Sequence, residues 1–138
     1  MKKKMISSWN NSVIIKKTLP KLGKLVIVKD IKSGVLFLGK KTRYEIFAHN
    51  LEDGHKSSTG FTQDRVWKYL PLIEYNPYVW KPIDSLNTHN IVIFHLPKAK
   101  FPVNYILGYL DNNGMIRHGL DFKYRIPIKK ADYFFEIF

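Results

Sequence analysis

Residues 105–117 read Tyr105-Ile106-Leu107-Gly108-Tyr109-Leu110-Asp111-Asn112-Asn113-Gly114-Met115-Ile116-Arg117, and this stretch decides the fold class. Two apolar runs flank an Asn-Gly dipeptide, and these two residue types accept the positive φ angles that a type I′ turn requires. The stretch therefore predicts a tight β-hairpin with Asn113 and Gly114 at its turn.

The same alternation of short apolar runs and turn residues extends over most of the chain. Residues 25–28 and 35–38 predict a second hairpin around Ser33-Gly34. Residues 43–47 alternate polar and apolar side chains and predict a third strand with one solvent-exposed face. Further strands are predicted at 66–70, 90–95, 122–128 and 133–138, with a loop at 57–60 and an ordered crossover at 74–82. Residues 66–70 also fit a short helix, but a strand is favoured. The sequence thus predicts a mostly β, antiparallel fold with little helix.

The two halves of the chain resemble each other. Trp9, Leu19-Pro20 and residues 26–28, 37–39 and 66–72 recur in the same order as Trp80, Leu86 and residues 91–93, 106–108 and 122–128. This pattern indicates a possible internal duplication, although any two β-meanders have apolar triplets and turns in common. We expect a basic β half at 1–73 and a second β half at 74–138. Each would be a small barrel-like or meander unit, and the two would form one compact unit with one core because neither half buries enough surface alone.

Positive charge is concentrated near the amino terminus. Residues 1–45 hold 12 of the 23 basic residues and two of the 11 acidic ones, a net charge of 12 − 2 = +10 out of a total of +12. Such a segment attracts a polyanion, which could be nucleic acid, an acidic protein face or an anionic membrane. No basic amphipathic helix is evident, so a membrane is the weakest candidate. The predicted binding residues are Lys16, Lys17, Lys21, Lys24, Lys29, Lys32, Lys40, Lys41 and Arg43; the alternative is a solvated surface.

Several aromatic residues stand beside basic ones. Tyr44 follows Arg43, Tyr69 follows Lys68, and Tyr124 lies between Lys123 and Arg125, which fits stacking platforms for single-stranded nucleic acid. Most of the other aromatic residues are expected to pack in the core. On the proline-rich connection, Tyr75, Tyr78 and Trp80 are expected to be exposed, and they form a possible protein-contact surface.

The sequence has no recognisable catalytic signature. It contains no cysteine, and its five histidines, at positions 49, 55, 89, 95 and 118, have no metal-ligand spacing. We therefore expect no metal, no small-molecule cofactor and, on balance, no enzymatic activity. The alternative is a small basic, metal-independent ribonuclease or toxin. Its acid and base would be His95 and His118, and Lys123 would stabilise the phosphorane.

Features near the amino terminus indicate a cellular compartment and a family. No apolar stretch follows Met1–Lys4, and cysteine is absent, so we expect a cytoplasmic protein without membrane attachment. The order Trp9, Leu19-Pro20, Gly23, 26–28, Gly39, Trp67 and Leu70-Pro71 resembles a short domain of unknown function common in phages and prophages. Residues 80–83 resemble a second opening of that domain, whereas the proline usual two places after the closing Trp is missing at Tyr69.

The resemblance implies a biological setting and carries over no functional residue. It implies a phage- or mobile-element-borne accessory protein acting in the host bacterial cytosol. Together with the charge, it predicts a non-catalytic binding protein whose partner is a nucleic acid or a host nucleoprotein complex. Inhibition of a bacterial defence nuclease, as by an anti-CRISPR protein, fits this setting. The ribonuclease or toxin and a structural phage component are the alternatives.

Overall fold

The structure is a computed structural model, and it describes residues 13–14, 20–62, 67–71 and 80–136. For residues 13–14 and 68–71 the description is limited to the backbone. The predicted binding residues Lys16, Lys17, Tyr75 and Tyr78 lie outside the described residues, and so does the side chain of Tyr69.

Six strands from the first half of the chain form one antiparallel sheet. Their order across the sheet is β1-β6-β2-β3-β4-β5. The strands are β1 (Val13–Ile14), β2 (Leu25–Asp30), β3 (Leu36–Lys41), β4 (Ile46–Asn50), β5 (Ser58–Phe61) and β6 (Trp67–Pro71).

Six strands from the second half form the other antiparallel sheet. Their order is β11-β10-β9-β8-β12-β7. The strands are β7 (Trp80–Pro82), β8 (Val92–His95), β9 (Tyr105–Leu110), β10 (Met115–His118), β11 (Tyr124–Pro127) and β12 (Tyr133–Phe135). Three 3₁₀ turns, Ile83–Ser85, Leu120–Phe122 and Ile128–Lys130, are the helical elements of the described residues. None of the helices described there has the length and apolar character needed to cross a membrane. The prediction of a mostly β, antiparallel fold is confirmed.

The two sheets have the same topology. Read from its other edge, the second sheet runs β7-β12-β8-β9-β10-β11, which matches the first sheet strand for strand. Gly39 of β3 faces Val26 of β2, and Gly108 of β9 faces Val92 of β8, so these glycines are equivalent. The identical order supports the internal duplication.

The register corrects the alignment of the two halves. Residues 26–28 correspond to residues 92–94, one place later than the sequence comparison suggests. β6 corresponds to β12, because each lies beside the first strand of its own hairpin, and the match between 66–72 and 122–128 is therefore wrong. Similar apolar-proline endings, Leu70-Pro71 and Ile126-Pro127, account for the error.

A hydrophobic core joins the two sheets. Ile27 and Leu38 of the first sheet pack in one buried cluster with Ile93, Leu107 and Phe135 of the second. Because side chains alternate along a strand, the intervening residues of each sheet face the other way and form a separate cluster. The clusters of the separate halves centre on Val26, Phe61 and Trp67 in the first half and on Phe94, Ile116 and Phe134 in the second. The expectation of one core between two halves is thus met, with a further core inside each half.

Neither sheet closes into a barrel within the described residues. No backbone ladder there joins β1 to β5, and none joins β7 to β11. The halves are therefore open meanders with one returning strand, and the barrel-like description is corrected accordingly.

The β9–β10 hairpin is confirmed, but its turn differs from the prediction. Gly114 has φ +74°, whereas Asn113 is not among the residues with positive φ. The Asp111 carboxylate accepts bonds from the backbone N–H groups of Asn113 (2.8 Å) and Met115 (3.0 Å). These bonds hold a three-residue loop with glycine in the left-handed position, which is the bulged hairpin type and not type I′.

Some strand boundaries also differ from the prediction. β4 begins at Ile46 and not at Arg43, because Thr42 closes a turn onto the Glu45 carbonyl through its backbone N–H and its hydroxyl, both at 2.8 Å. The predicted loop at 57–60 is largely β5, and the predicted strand at 122–128 is reduced to β11 by the flanking 3₁₀ turns.

Trp80 is a clear correction. Its side chain is 4% exposed and packs against Tyr105 and Phe135 in the core between the sheets. β7 pairs with β12, so Trp80 belongs to a strand and not to an exposed connection. The predicted exposure of Trp80 is therefore wrong.

Candidate nucleic-acid interface

Five predicted cationic residues come together at one end of the first sheet. Backbone bonds run from Gly23 N–H to the Lys41 carbonyl (2.8 Å) and from Lys41 N–H to the Lys24 carbonyl (3.0 Å), which ties the turn before β2 to the end of β3. We call this group the basic end. It consists of Lys21, Lys24, Lys40, Lys41 and Arg43.

Two predicted cationic residues lie elsewhere. Lys32 is in the turn that joins β2 to β3, and Lys29 pairs with Leu36 where β3 begins, so both belong to the opposite end of the sheet. An antiparallel hairpin separates its turn from its open end, which is why a contiguous run of basic sequence does not form a single patch.

An exposed aromatic ring accompanies the basic end. Tyr44 is 81% exposed, and the Arg43 guanidinium carbon lies 5.4 Å from the centre of its ring. This is the cation–aromatic pair that the sequence suggested. The ring therefore adds an exposed stacking surface beside the charges.

Further rings continue from the basic end along β4. Phe47 is 43% exposed and pairs across the strands with Lys40. His49, two residues later on the same face, contacts Phe47 edge to face with 5.3 Å between ring centres. An exposed phenyl ring between a lysine and an imidazole indicates a contact surface rather than a core position.

The row of rings crosses to the second half at His49. The His49 ring lies 5.7 Å from that of Phe101, which belongs to the loop between β8 and β9 and is 39% exposed. The same loop carries Lys98 and Lys100, both exposed. Each half therefore contributes rings and cations to one surface.

The row ends at a cluster formed by both halves. The His55 ring lies 6.4 Å from that of His49, and His55 lines a cavity together with His118 and Tyr124. Tyr124 is 47% exposed, and its ring centre lies 6.0 Å from that of His118. The Lys123 ammonium lies 5.4 Å from the centre of the Tyr124 ring. We call the whole row the ring stripe. Its members are Phe47, His49, Phe101, His55, His118 and Tyr124.

Two histidines of the ring stripe are held neutral. Burial lowers the pKa of His55 and outweighs the hydrogen bond to the Tyr105 carbonyl, which raises it; nearby His49 lowers the pKa further. Burial also lowers the pKa of His118. At neutral pH these two side chains therefore contribute polar rings rather than positive charge.

Two of the cavities lined by described residues lie between the halves. The backbones of Gly54 in the first half and Gly119 in the second approach each other closely, since a Cβ atom added to Gly54 would lie 3.3 Å from the Gly119 Cα. The larger cavity, about 640 Å³, is lined by Lys29, Leu36, Glu52, Leu107, Asp121 and Phe122, among others. The smaller, about 460 Å³, opens beside His55 and His118.

The three residues suggested for ribonuclease chemistry do not form one site. On β9, His95 pairs with Tyr105 and His118 pairs with Gly108. Tyr105 and Gly108 are three residues apart, and side chains alternate between the faces of a sheet, so the two histidines lie on opposite faces. His95 instead donates from Nδ1 to the Asp132 carboxylate (2.8 Å) and packs against Trp80. Lys123 lies near His118 and not near His95, because its ammonium contacts the Tyr124 ring and that ring packs beside His118.

No group of three or more acidic, histidine or cysteine side chains in the described part of the chain is arranged to hold a metal ion. Comparison with protein-family models, curated proteins and solved structures finds no match. The phage-domain resemblance accordingly stays a prediction from the sequence.

The sequence indicated part of this surface. Tyr44 and Tyr124 were identified by their basic neighbours. Phe47 and Phe101 were missed, because in a β-rich chain an isolated phenylalanine is expected to be buried. The Lys40–Phe47 pairing became recognisable only with the register of β3 and β4.

Proposed function

We propose that this protein binds single-stranded nucleic acid without cleaving it, along the ring stripe and the basic end. The observation that carries the proposal is a row of rings across both halves, exposed at Phe47, Phe101 and Tyr124 and half-buried at its histidines, with lysine and arginine side chains beside it. Bases stack on such rings whatever their sequence, and cations contact the phosphate backbone.

The arrangement favours an unpaired strand over a duplex. Reading a duplex in its major groove commonly uses a protruding helix or a two-stranded ribbon. The helical elements of the described residues are turns of three residues, and the exposed features of the stripe are flat rings. Because lysines contact phosphates and not base edges, binding would depend little on sequence.

The partner could be a free strand or the strand of a host nucleoprotein complex. A phage-borne role, and inhibition of a defence nuclease such as a CRISPR effector, remain predictions from the resemblance. Both are compatible with a surface that captures exposed single strands.

The test is fluorescence anisotropy with a labelled single strand of roughly 16 nucleotides, the upper end of common site sizes. Phe47→Ala should weaken binding by about 1–3 kcal/mol, the usual contribution of one stacked base, or roughly 5- to 150-fold in Kd. The strand should remain intact on a gel after incubation.

The matched control is Ile31→Ala. Ile31 is 42% exposed, much like Phe47, but lies in the turn after β2, away from the stripe. Equal affinity of the Phe47→Ala, Tyr124→Ala and Ile31→Ala variants would contradict the proposal.

A further inference from the structure

The smaller cavity has the properties of a pocket for a flat, neutral ligand. Its volume is about 460 Å³, within the usual range of small-molecule sites. The second half supplies apolar walls at Leu96, Ile106 and Ile126, and the first half covers them with the loop that carries His55. Mostly apolar walls with a few converging polar atoms are typical of ligand pockets.

Two buried nitrogen atoms on the cavity residues have no hydrogen-bond partner among the described residues. They are Nδ1 of His55 and Nε2 of His118. The large majority of buried polar side-chain atoms in folded proteins have a partner. Two other buried atoms without one among the described residues, Trp80 Nε1 and Asn104 Oδ1, belong to residues that do not line this cavity. Both histidines line the same cavity, so a single ligand could satisfy both atoms.

The hydrogen bonding of His55 shows which role its free nitrogen plays. Nε2 lies 2.7 Å from the Tyr105 carbonyl oxygen, which can only accept, so Nε2 carries the proton. In a neutral ring Nδ1 is then an acceptor. The lowered pKa of His55 favours that neutral form. A ligand at this position must present an N–H or O–H group.

The backbone of His55 is also strained. Its φ angle is +68°, and the described non-glycine residues with positive φ are His55, Asp121 and Phe122, each of which lines one of the two cavities. Strain of this kind is concentrated at functional sites, where the surrounding structure holds it in place. The strain thus adds a second reason to regard this cavity as a site.

We propose that the cavity holds one nucleobase of the strand bound along the ring stripe, with an N–H group of the base donating to His55 Nδ1 and the base edge bonding to His118 Nε2. Enzymes that act on a single base take it out of the strand into a pocket and recognise it through hydrogen bonds. Tyr124, at once a member of the stripe and a wall of the cavity, lies at the entrance. This inference rests on the proposed function, and its ligand class is a neutral nucleobase rather than a phosphate.

The experiment measures the pocket separately from the strand. The full chain, ¹⁵N-labelled at histidine, is titrated with adenosine and with purine riboside, which has the same size but lacks the amino group. We expect adenosine to shift the imidazole signals of His55 and His118 saturably. The signal of His89, whose Nδ1 bonds the Leu110 carbonyl at 2.6 Å, should stay fixed.

Analogue and variant binding provide the specificity test. Purine riboside should bind about 2- to 10-fold more weakly, as expected for one lost hydrogen bond. Val103→Trp, at a half-exposed position in the cavity wall, should abolish the shifts. His55→Asn should abolish the shift of the remaining His118 signal, because asparagine tolerates positive φ and removes the imidazole that accepts the ligand N–H.

The outcomes separate the two proposals. Oligonucleotide binding that depends on Phe47, without any adenosine shift at His55 and His118, overturns the pocket and leaves the stripe in place. Adenosine shifts without oligonucleotide binding overturn the stripe. Equal shifts from the two nucleosides overturn the assigned N–H contact with His55.

Discussion

Replacing Lys24, Lys40 and Arg43 together by glutamine removes three positive charges from the basic end. All three side chains are exposed, so the fold should persist. For single strands each phosphate contact contributes about −0.7 to the slope of log K against log salt. If the five cations of the basic end each contact one phosphate, they contribute about −3.5 to the slope in the intact protein and about −1.4 in the triple variant.

These slopes give a large and measurable difference. Between 50 and 200 mM salt this contribution corresponds to a loss of about 130-fold in affinity for the intact protein and about 7-fold for the triple variant. The assay is fluorescence anisotropy of a labelled single strand over a salt series, with circular dichroism to verify folding.

The matched control replaces Lys32, Lys129 and Lys130 by glutamine. Both triple variants have a formal net charge of 12 − 3 = +9. Lys32 lies at the far end of the first sheet, and Lys129 and Lys130 follow Pro127, away from the His118–Tyr124 pair of the second sheet. If the two triple variants have equal salt slopes, the basic end does not contact the strand, and only the overall charge of the protein affects binding.

Two further predictions concern the second half. Gly108→Ala should lower stability by about 3 kcal/mol or more, because the new Cβ would lie 2.1 Å from the Arg117 carbonyl oxygen; an unchanged Tm would contradict the close approach of β9 and β10. Backbone N–H bonds, chiefly that of Met115, hold the pKa of Asp111 below its usual 3.8. Its ionised form therefore stabilises the fold above that pH, and the stabilisation is lost as pH falls through the lowered value. In thermal melts, the Tm of the intact protein should exceed that of Asp111→Asn at pH 7, and this difference in Tm should shrink in acid. A difference in Tm that does not change with pH would contradict a role for the charge.

Local patterns in the sequence determined much of the fold. The runs at 25–28 and 105–110 combine apolar side chains with flanking turn residues, so their hairpins were predictable. β5 was not, because Ser58, Thr59 and Gly60 are typical of a loop. They form a strand because β4 offers its free edge, and that pairing is a long-range contact.

Burial of Trp80 was unpredictable for a similar reason. Prolines on both sides suggested an exposed connection, and Trp80 is buried because β12, more than 50 residues away, pairs with β7. The ring stripe depends on contacts of the same range. Phe101 meets His49 only because the two sheets pack face to face, and no local pattern encodes that arrangement.

The matched topology of the halves has a consequence for how such a surface can arise. The register makes Lys40 equivalent to Tyr109, and Phe47 equivalent to Arg117. Each half thus has a cross-strand pair of one cation and one aromatic ring. In the first half β3 carries the cation and β4 the ring, whereas in the second half β9 carries the ring and β10 the cation. A symmetric dimer of a single unit could not do this, because both subunits would present the same side chains. Joining two copies in one chain lets each diverge separately, so a surface that spans both halves can present different side chains at its two ends.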